Sequence, residues 1–449
     1  MKRPALCRTC LLVVLGSVPG VLPALEPIAV PTALGDASVT PSLRTLLGLQ
    51  RGNGINYGLG AFDSPGETER STLYLAVKPR LDLSLALGPA AAVGPSSLYG
   101  GVSVVAATTT LDGEISGQIA RAGDSAFDTD HAYVGWRNDL VDLSVGGQEF
   151  TVGDGFIVGD GNFNPGGEDG QYWTGAFSAW RNSAVVKVNT QPVRADLFWL
   201  RTDEDLGDSR VAGISLETST AKEYGTLGFL YLEVMQGQAF NLGGIEAWNL
   251  RASAIRVPGV PDLLLYGEWV LERGDDDAAG GRANDAVGWY VEGEYSFPML
   301  PWTPRLNYRY VRLSGDELDT PENEEYRGLF FTIFKRDWDT WYQGEIAGEY
   351  HLFNQNQVTQ MVKLKLFPRP TWALALYYYR HELEEPQYFG RRVSDTAWAD
   401  ELNVGVERFL GKYFYGYVGF AWSTPDTAAR ELLGDEDFGV VQTFLSYTF

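Results

Sequence analysis

The last ten residues, Val440–Phe449, constrain the fold of this chain more than any other stretch. One side of a strand with a period of two carries the apolar and aromatic residues Phe449, Tyr447, Leu445, Thr443 and Val441. The other side is mostly polar, with Phe444 as the single misfit. A soluble protein seldom ends on such a strand, because chain ends usually fray into solvent. A strand that closes a membrane barrel fits better, since alternate residues face lipid and no edge is left exposed.

This ending resembles the terminal signal of bacterial outer-membrane barrels. The resemblance implies that the assembly machinery recognises Phe449 together with Tyr447, the aromatic residue two positions earlier. The alternative is an ordinary amphipathic strand.

The amino terminus predicts export from the cytoplasm. Met1–Arg3 is basic, Leu11–Leu15 is a short apolar core, and Leu22–Ala24 is a workable cleavage site, so residues 1–24 are predicted to be a secretory signal peptide. Cys7 and Cys10 both precede the apolar core, so the processed chain is predicted to contain no thiol.

The chain is strongly acidic, with a formal net charge of −23. Loss of Lys2, Arg3 and Arg8 with the signal peptide makes it about −26. Nucleic acid is therefore an unsuitable partner. The expected partners are outer-membrane lipid and lipopolysaccharide, which acidic outer loops reach through bridging divalent cations.

The division of the chain into segments follows from its composition and its hydrophobic pattern. Residues 25–71 are rich in Pro, Gly and Ser without a clear period, which predicts an irregular leader that either enters the lumen or pairs late, whereas residues 72–449 alternate like strands. We expect an all-β, transmembrane antiparallel up-and-down barrel of about 18 strands. The count is up to twenty if it starts near Lys78 and eighteen if it starts at a predicted strand Glu114–Ala122.

Alternation also occurs in soluble sandwiches, so the loop lengths decide the fold. Tight connections are predicted at Asn138-Asp139, Thr190–Pro192, Val257–Pro261, Pro298–Pro304, Pro368–Pro370 and Gly411-Lys412. Longer, mostly acidic ones alternate with them at Gly274–Ala286, Gly315–Arg327, Glu382–Thr396 and Ser423–Asp437. Short turns at one rim and long loops at the other are typical of transmembrane barrels.

Three stretches, Ala132–Arg137, Leu143–Asp154 and Trp338–Tyr350, are similar to the alginate export porin family. The resemblance covers roughly Leu98–Phe449 and implies a bacterial outer-membrane porin for a uronate-type saccharide. Family members carry an arginine where this chain has Gly147, which is a departure from an electropositive constriction of the family type.

Charged residues on the polar strand faces are the candidate pore lining. The basic candidates are Arg194, Arg251, Arg305, Arg309, Lys363 and Lys365. The acidic candidates are Glu233, Glu268, Glu272, Glu292, Glu294, Glu345 and Glu349. Opposed rows of both signs would orient polar solutes, whereas the plainer interpretation is that these ions only pair and solvate the wall. Arg305, Arg309, Lys363 and Lys365, on strands expected to be separated by two others, are predicted to form one positive wall.

Metal and catalytic motifs are weak. The loop 153–170 contains Asp160–Asp169, which begins like a calcium loop, but Pro165 and Gln171 replace the Gly and Glu that an EF-hand needs. A looser calcium site and an infolded constriction remain alternatives for this loop. His131, His351 and His381 lie near no nucleophile motif, so we expect no enzyme and no cofactor.

The sequence therefore predicts an outer-membrane channel that passes a hydrophilic, anionic saccharide. The alternatives are a porin or carrier for another small solute, including apolar compounds, then a barrel enzyme or a secreted adhesin. The sequence leaves open the solute, the direction of transport and the oligomeric state.

Overall fold

Eighteen antiparallel strands form a closed barrel in the computed structural model, which describes residues 26–32, 35–90, 94–118, 123–161, 173–204, 207–237, 242–275, 281–332 and 341–449. The predicted signal peptide lies outside these residues. The strands are β1 (Gly35–Asn53), β2 (Glu69–Ala90), β3 (Gly94–Leu111), β4 (Ser125–Asn138), β5 (Val141–Gly147), β6 (Asn182–Asn189), β7 (Val193–Arg201), β8 (Arg210–Thr218), β9 (Thr226–Gln236), β10 (Glu246–Val257), β11 (Val260–Gly274), β12 (Asn284–Ser296), β13 (Arg305–Leu313), β14 (Gln357–Arg369), β15 (Trp372–Leu383), β16 (Ala397–Leu410), β17 (Phe414–Pro425) and β18 (Phe438–Thr448).

The barrel closes between its first and last strands. The β1–β18 ladder runs from Arg44 opposite Thr448 to Asn53 opposite Gly439. A short strand, Ile28–Thr32, pairs with the start of β1 beyond the end of β18. Closure satisfies the backbone hydrogen bonds of the wall without an exposed sheet edge, as a membrane-spanning sheet requires.

The last strand shows how the wall is built. Val441 and Leu445 lie on the outward face, while Gln442 and Ser446 are buried on the lumenal face. Phe444, which breaks the alternation in the sequence, is lumenal and only 4% exposed.

The connections differ in length at the two ends of the barrel. Connections 91–93, 139–140, 190–192, 219–225, 258–259, 297–304, 370–371 and 411–413 lie at one end, which we call the turn end. Connections 54–68, 112–124, 148–181, 202–209, 237–245, 275–283, 314–356, 384–396 and 426–437 lie at the other, which we call the loop end. In bacterial barrels the short turns face the periplasm.

The loops contain little regular structure. The described elements are two short hairpins (Gly60–Ala61 with Ser64–Pro65, and Gln387–Tyr388 with Arg391–Arg392), the 3-10 turns Ile55–Gly58 and Lys222–Tyr224, a π-helical turn Gly348–Leu352, and one α-helix, α1 (Thr427–Leu432). None of the helices in the described ranges combines the length and the apolar character needed to cross a membrane.

Described parts of two long connections, residues 148–181 and 314–356, pack into the lumen, and we call these connections the infolded loops. They are joined by a parallel bridge between Val158 and Phe330. Phe156 of the first loop lies 4.9 Å from Trp341 of the second and 5.3 Å from the lumenal Tyr290 of β12, measured between ring centroids. These rings belong to a hydrophobic cluster that also includes inward side chains of β7–β13, so the described parts of the two loops fill much of the loop end.

The structure differs from the sequence-based division at residues 25–71. Most of this segment, predicted to be an irregular leader, is strand β1 together with the connection 54–68. Two positions account for its weak pattern. Gly48 lies where an added Cβ would be 2.6 Å from the ring of Trp173, and Pro41 lies between the stretches of β1 that pair with Ile28–Thr32 and with β18.

Two further expectations are wrong. The described part of the predicted strand Glu114–Ala122 is a turn, because the carboxylate of Glu114 accepts hydrogen bonds from the backbone N–H groups of Ser116 and Gln118. Strands β13 and β14 are directly paired, with Arg305 opposite Lys365, rather than separated by two strands. The described residues of the intervening connection, 314–332 and 341–356, add no strand to the wall. The count of eighteen is therefore correct, but it starts at Gly35.

Candidate functional site

A cavity of about 420 Å³ opens in the lumen beside β2–β6. Arg137 and Asp142, which flank the turn between β4 and β5, line it at the turn end. Gln148–Thr151, the start of the first infolded loop, lines it on the side of the loop end. The cavity is therefore a vestibule on the turn-end side of the infolded loops.

Charged side chains of the vestibule alternate in a row across neighbouring strands. Ser97, Arg137, Asp142 and Lys187 are successive cross-strand partners on β3, β4, β5 and β6. Because neighbouring strands lie about 4.8 Å apart, two cations flank one carboxylate within a short arc of the wall. The hydroxyl of Tyr99 donates to Asp142 and holds that carboxylate in place.

The two cations of the row contact neutral groups. The guanidinium of Arg137 lies 4.9 Å from the ring centroid of Tyr99, and its Nε donates to Oγ of Ser97 over 3.3 Å. The ammonium of Lys187 lies 5.8 Å from the ring centroid of Phe150. Neither side chain forms an ion pair with a carboxylate of the described residues. Both are therefore able to bind an anionic group that enters the vestibule.

Arg80 is a third cation of the vestibule, but it is already neutralised. Its Nε and Nη2 each donate to the carboxylate of Asp82 over 2.8 Å. Its Nη1 lies 3.2 Å from Nε2 of His131, and since a guanidinium only donates, this nitrogen accepts. The proton of the neutral imidazole is then on Nδ1.

His131 does not belong to a serine hydrolase triad. Its Nδ1 lies 2.5 Å from Oδ2 of Asp130 and 3.0 Å from Oγ of Ser103. A triad needs the serine and the carboxylate on different ring nitrogens, because one nitrogen takes the proton of the nucleophile while the other is oriented by the acid. Both groups contact Nδ1 here, so the cluster positions Arg80 and offers no activated nucleophile.

Two predicted pore-lining bases are buried in ion pairs. Nε of Arg309 lies 2.9 Å from Oε2 of Glu292, and Nζ of Lys365 lies 2.7 Å from Oε1 of Glu407. All four side chains are at most 3% exposed. Their charges are consequently compensated within the wall.

The other four predicted bases lie on lumenal strand positions with different surroundings. Arg305 is exposed, whereas Lys363 is only 4% exposed. Their contacts are Arg194 with Asp196 at 2.7 Å, Arg251 with Glu217 at 3.3 Å, Arg305 with the ring centroid of Phe367 at 4.9 Å, and Lys363 with the ring centroid of Tyr377 at 5.8 Å.

Six of the seven predicted acids fall into three groups. The strand acids Glu268, Glu292 and Glu294 accept hydrogen bonds from neighbouring asparagine side chains, from Asn249 over 3.0 Å and from Asn307 over 2.8 and 3.1 Å. Glu345 and Glu349, expected on strand faces, lie instead on the second infolded loop, where both are buried. Glu233 is wrong as a lumenal residue, since it is exposed on the outward face of β9 between buried Leu232 and Val234.

Wall carboxylates hold the second infolded loop by its backbone. Glu272 of β11 accepts a hydrogen bond from the N–H of Arg327 over 3.0 Å. Glu401 of β16 accepts from the N–H groups of Glu345 and Ala347 over 2.7 and 2.8 Å. Glu272, a predicted selectivity residue, thus has a positioning role for the loop.

A buried histidine anchors the same loop. Nε2 of His351 lies 3.1 Å from Oδ1 of Asn56, in the connection 54–68. The backbone carbonyl of His351 accepts a hydrogen bond from the hydroxyl of Tyr388 over 3.0 Å. Burial, together with the smaller effect of the nearby His381, lowers the pKa of His351 to about 3. The ring is therefore neutral at ordinary pH.

Metal binding has no support in the described residues, which contain no group of three or more His, Cys, Asp or Glu side chains able to hold an ion. Most of Asp160–Asp169, where a looser calcium site was one alternative, lies outside them. Its described beginning belongs to the first infolded loop.

Residues 102–414, more than two thirds of the chain, match the family model described as alginate export. The chain belongs to the alginate export family. No curated protein matches this family member significantly. Among solved structures, its fold is similar to OccAB1 of Acinetobacter baumannii, at 11% identity and a TM-score of 0.61 over 92% of this chain and 96% of that one. OccK5 (OpdH) and OccK11 (OpdR) of Pseudomonas aeruginosa are similar at 11% and 13% identity, both with TM-scores of 0.55 over 92% of this chain and over 98% and 96% of theirs.

Family and fold together establish an outer-membrane porin. In this alginate export family member, Gly147 stands where the family resemblance implies an arginine. An added Cβ at Gly147 would meet the backbone oxygens of Asp130 and Trp180 at 3.3 and 3.4 Å, so the position is tight. The vestibule cations come from Arg137 and Lys187 instead.

Apart from His131, which was considered only for catalysis, sequence reasoning did not single out the vestibule residues. Tyr133 and Arg137 lie in one of the stretches that carry the family resemblance, and Gln148–Thr151 in another, which is the signal that could have found them. Lys187 and Tyr99 lie in strands without a motif. Only the cross-strand register brings these residues together.

Proposed function

We propose that this porin passes a carboxylated, uronate-type saccharide and that the vestibule is its binding site. The observation that carries the proposal is the pair Arg137 and Lys187, which face the same cavity and form no ion pair with a described carboxylate. The family match supports the same solute class.

The other lining groups suit the rest of an acidic sugar. Asp142 and Glu149 offer acceptors for sugar hydroxyls, and Ser144 and Gln148 offer both donors and acceptors. Tyr133 adds an aromatic side chain to the wall. The cavity volume is within the range of about 300–1,000 Å³ that is usual for small-molecule sites. A vestibule with two cations, several polar acceptors and aromatic rings matches a carboxylated sugar better than a neutral or apolar solute.

An apolar solute, the alternative within transport, is supported less well. The apolar lumenal side chains lie mainly on β7–β13, where they pack against the infolded loops in one cluster. They offer no open apolar surface in the part of the lumen that the structure describes.

Binding of a short oligouronate to the folded protein in detergent tests the proposal. Calorimetric titration should show that Arg137→Gln with Lys187→Gln weakens binding roughly tenfold or more, since one lost charge-assisted hydrogen bond is worth about 1.5–3 kcal/mol. A neutral oligosaccharide of equal length should bind weakly to both proteins. In planar bilayers, the oligouronate should block the current of the original channel at lower concentration than that of the variant.

The matched control removes two cations outside the cavity. Arg256 and Lys412 are exposed at the turn end, so Arg256→Gln with Lys412→Gln changes the net charge equally. Equal weakening by both double variants would point to general electrostatics. Unchanged binding in the vestibule variant would refute the assignment of the site.

A further inference from the structure

The turn between β12 and β13, residues 297–304, exposes more apolar surface than its neighbours. Met299 is 93% exposed, Trp302 54% and Leu300 51%. The connections 190–192, 258–259 and 370–371, at the same end, contain no large apolar side chain other than proline. We call residues 297–304 the apolar turn.

The apolar turn is an ordered structure. The N–H of Phe297 donates to the carbonyl of Pro304 over 2.8 Å, and the N–H of Leu300 donates to the carbonyl of Phe297 over 3.1 Å. The carbonyl of Trp302 accepts from the N–H of Phe367 at the end of β14 over 2.8 Å, which fixes the turn to the neighbouring strand. Pro298, Pro301 and Pro304 further restrict the backbone. The exposure of its side chains is therefore built into the fold.

The outward face of the barrel continues into this turn. Tyr295 and Phe297 contact each other edge to face, with 4.7 Å between ring centroids. Leu306, the second residue of β13, is 41% exposed on the same outward face. This face contacts lipid in an outer-membrane barrel, and tryptophan is favoured at the boundary between acyl chains and headgroups.

We propose that the apolar turn inserts into the periplasmic leaflet of the outer membrane and anchors that side of the barrel in lipid. The occupant is lipid because the apolar surface is continuous with the lipid-facing wall. The turn itself contains no charged side chain, whereas a surface exposed to water would be expected to carry some.

Quenching of a single fluorophore tests the insertion. Met299→Cys is labelled with a small environment-sensitive dye in a chain whose Cys7 and Cys10 are replaced by serine, so no other thiol is present. The same label at Asp139, in the turn between β4 and β5, serves as the water-facing control, and at Val291, on the outward face of β12, as the lipid-facing control. Only protein with the heat-modifiable migration of a folded barrel, reconstituted in phospholipid vesicles, is measured.

The label at position 299 should be quenched by nitroxide lipids and protected from aqueous iodide, as at position 291 and in contrast to position 139. Adding Leu300→Ser and Trp302→Ser to the labelled chain should lower quenching by lipid about twofold or more, since less apolar surface remains to hold the turn in the leaflet. Iodide quenching at position 299 equal to that at position 139 would overturn the proposal and would make the turn a water-exposed surface for a periplasmic protein.

Discussion

Arg309 and Glu292 form an ion pair that is fully sealed inside the barrel, with 2.9 Å between Nε and Oε2 and no exposure of either side chain. Nη1 of Arg309 also donates to Oε1 of Gln343 in the second infolded loop over 2.8 Å. The pair therefore links the wall to the loop. Because its two charges compensate each other and are buried, we expect the pair to contribute to the stability of the barrel rather than to the selectivity of the channel.

Arg309→Gln should destabilise the folded barrel by about 3–5 kcal/mol, because it leaves the Glu292 carboxylate buried without its cation. Unfolding by urea in detergent micelles measures the change. Arg305→Gln is the matched control, because Arg305 is exposed and lies on the same strand nearer the turn end. This substitution should change the stability little. Equal effects of the two substitutions would contradict the buried-pair argument.

Glu401→Leu should loosen the second infolded loop. The substitution leaves the N–H groups of Glu345 and Ala347 without their acceptor, at a cost of about 1–3 kcal/mol for each buried donor. Single-channel recordings should show a larger mean current with more frequent fluctuations. Glu382→Leu, which breaks an outward ion pair with Arg380, should leave the current unchanged, and the same larger current in this control would count against loop release.

Acid should release the same loop through His351. The pKa of this histidine is about 3 when it is buried and near 6.5 when the loop is free. Between these two pKa values the released loop binds more protons than the docked loop. The stabilisation of the docked loop is therefore fully present above pH 6.5 and is lost as the pH falls toward 3, by up to about 1.4 kcal/mol per pH unit. Amide hydrogen exchange of residues 341–356, corrected for the intrinsic rate, should accelerate across this window.

His351→Gln removes the titrating group and should flatten that pH dependence. Glutamine retains a hydrogen-bonding side chain near Asn56, so the loop should stay in place near neutral pH. An unaltered pH profile in this variant would assign the acid response to other groups.

Deleting Phe449 should reduce assembly of the barrel far more than shortening an exposed loop. The backbone N–H of Phe449 donates to the carbonyl of Leu43 over 2.9 Å at the β1–β18 seam, and its ring contacts Tyr447 at 4.5 Å. The yield of heat-modifiable protein in outer membranes measures assembly. A shortened loop 384–396 is the control, and a normal yield without Phe449 would weaken the role of the carboxy terminus.

Epitope tags should report the orientation. The side chain of Asp319, near the beginning of the connection 314–356, is 85% exposed, so a tag there should bind antibody on intact cells. A tag within 275–283 should behave alike. A tag at Pro368–Pro370, at the turn end, should bind antibody only after the outer membrane is opened, and the opposite labelling would invert the barrel.

Much of the fold could be predicted from the sequence for a local reason. Whether a strand residue faces lipid or the lumen alternates with every residue, so the outward positions Leu445, Tyr447 and Phe449 can be assigned without knowing the partner strand. Loop lengths also follow from the chain alone. Strand β1 was not recognised in this way, because its pattern is interrupted at Gly48. The glycine is needed there to accommodate Trp173, from a loop more than a hundred residues later.

The sequence by itself determined a barrel and its family, because these depend on short-range alternation and on matched stretches of residues. Only the tertiary structure decided what fills the lumen. Phe444 looked like an error in an otherwise regular strand, yet its ring lies 6.0 Å from that of Trp173 in the first infolded loop. Arg137 and Lys187 likewise line one cavity only because of the cross-strand register. Such contacts join residues far apart in the chain, and their free energy exists only once the barrel has closed and the loops have entered it.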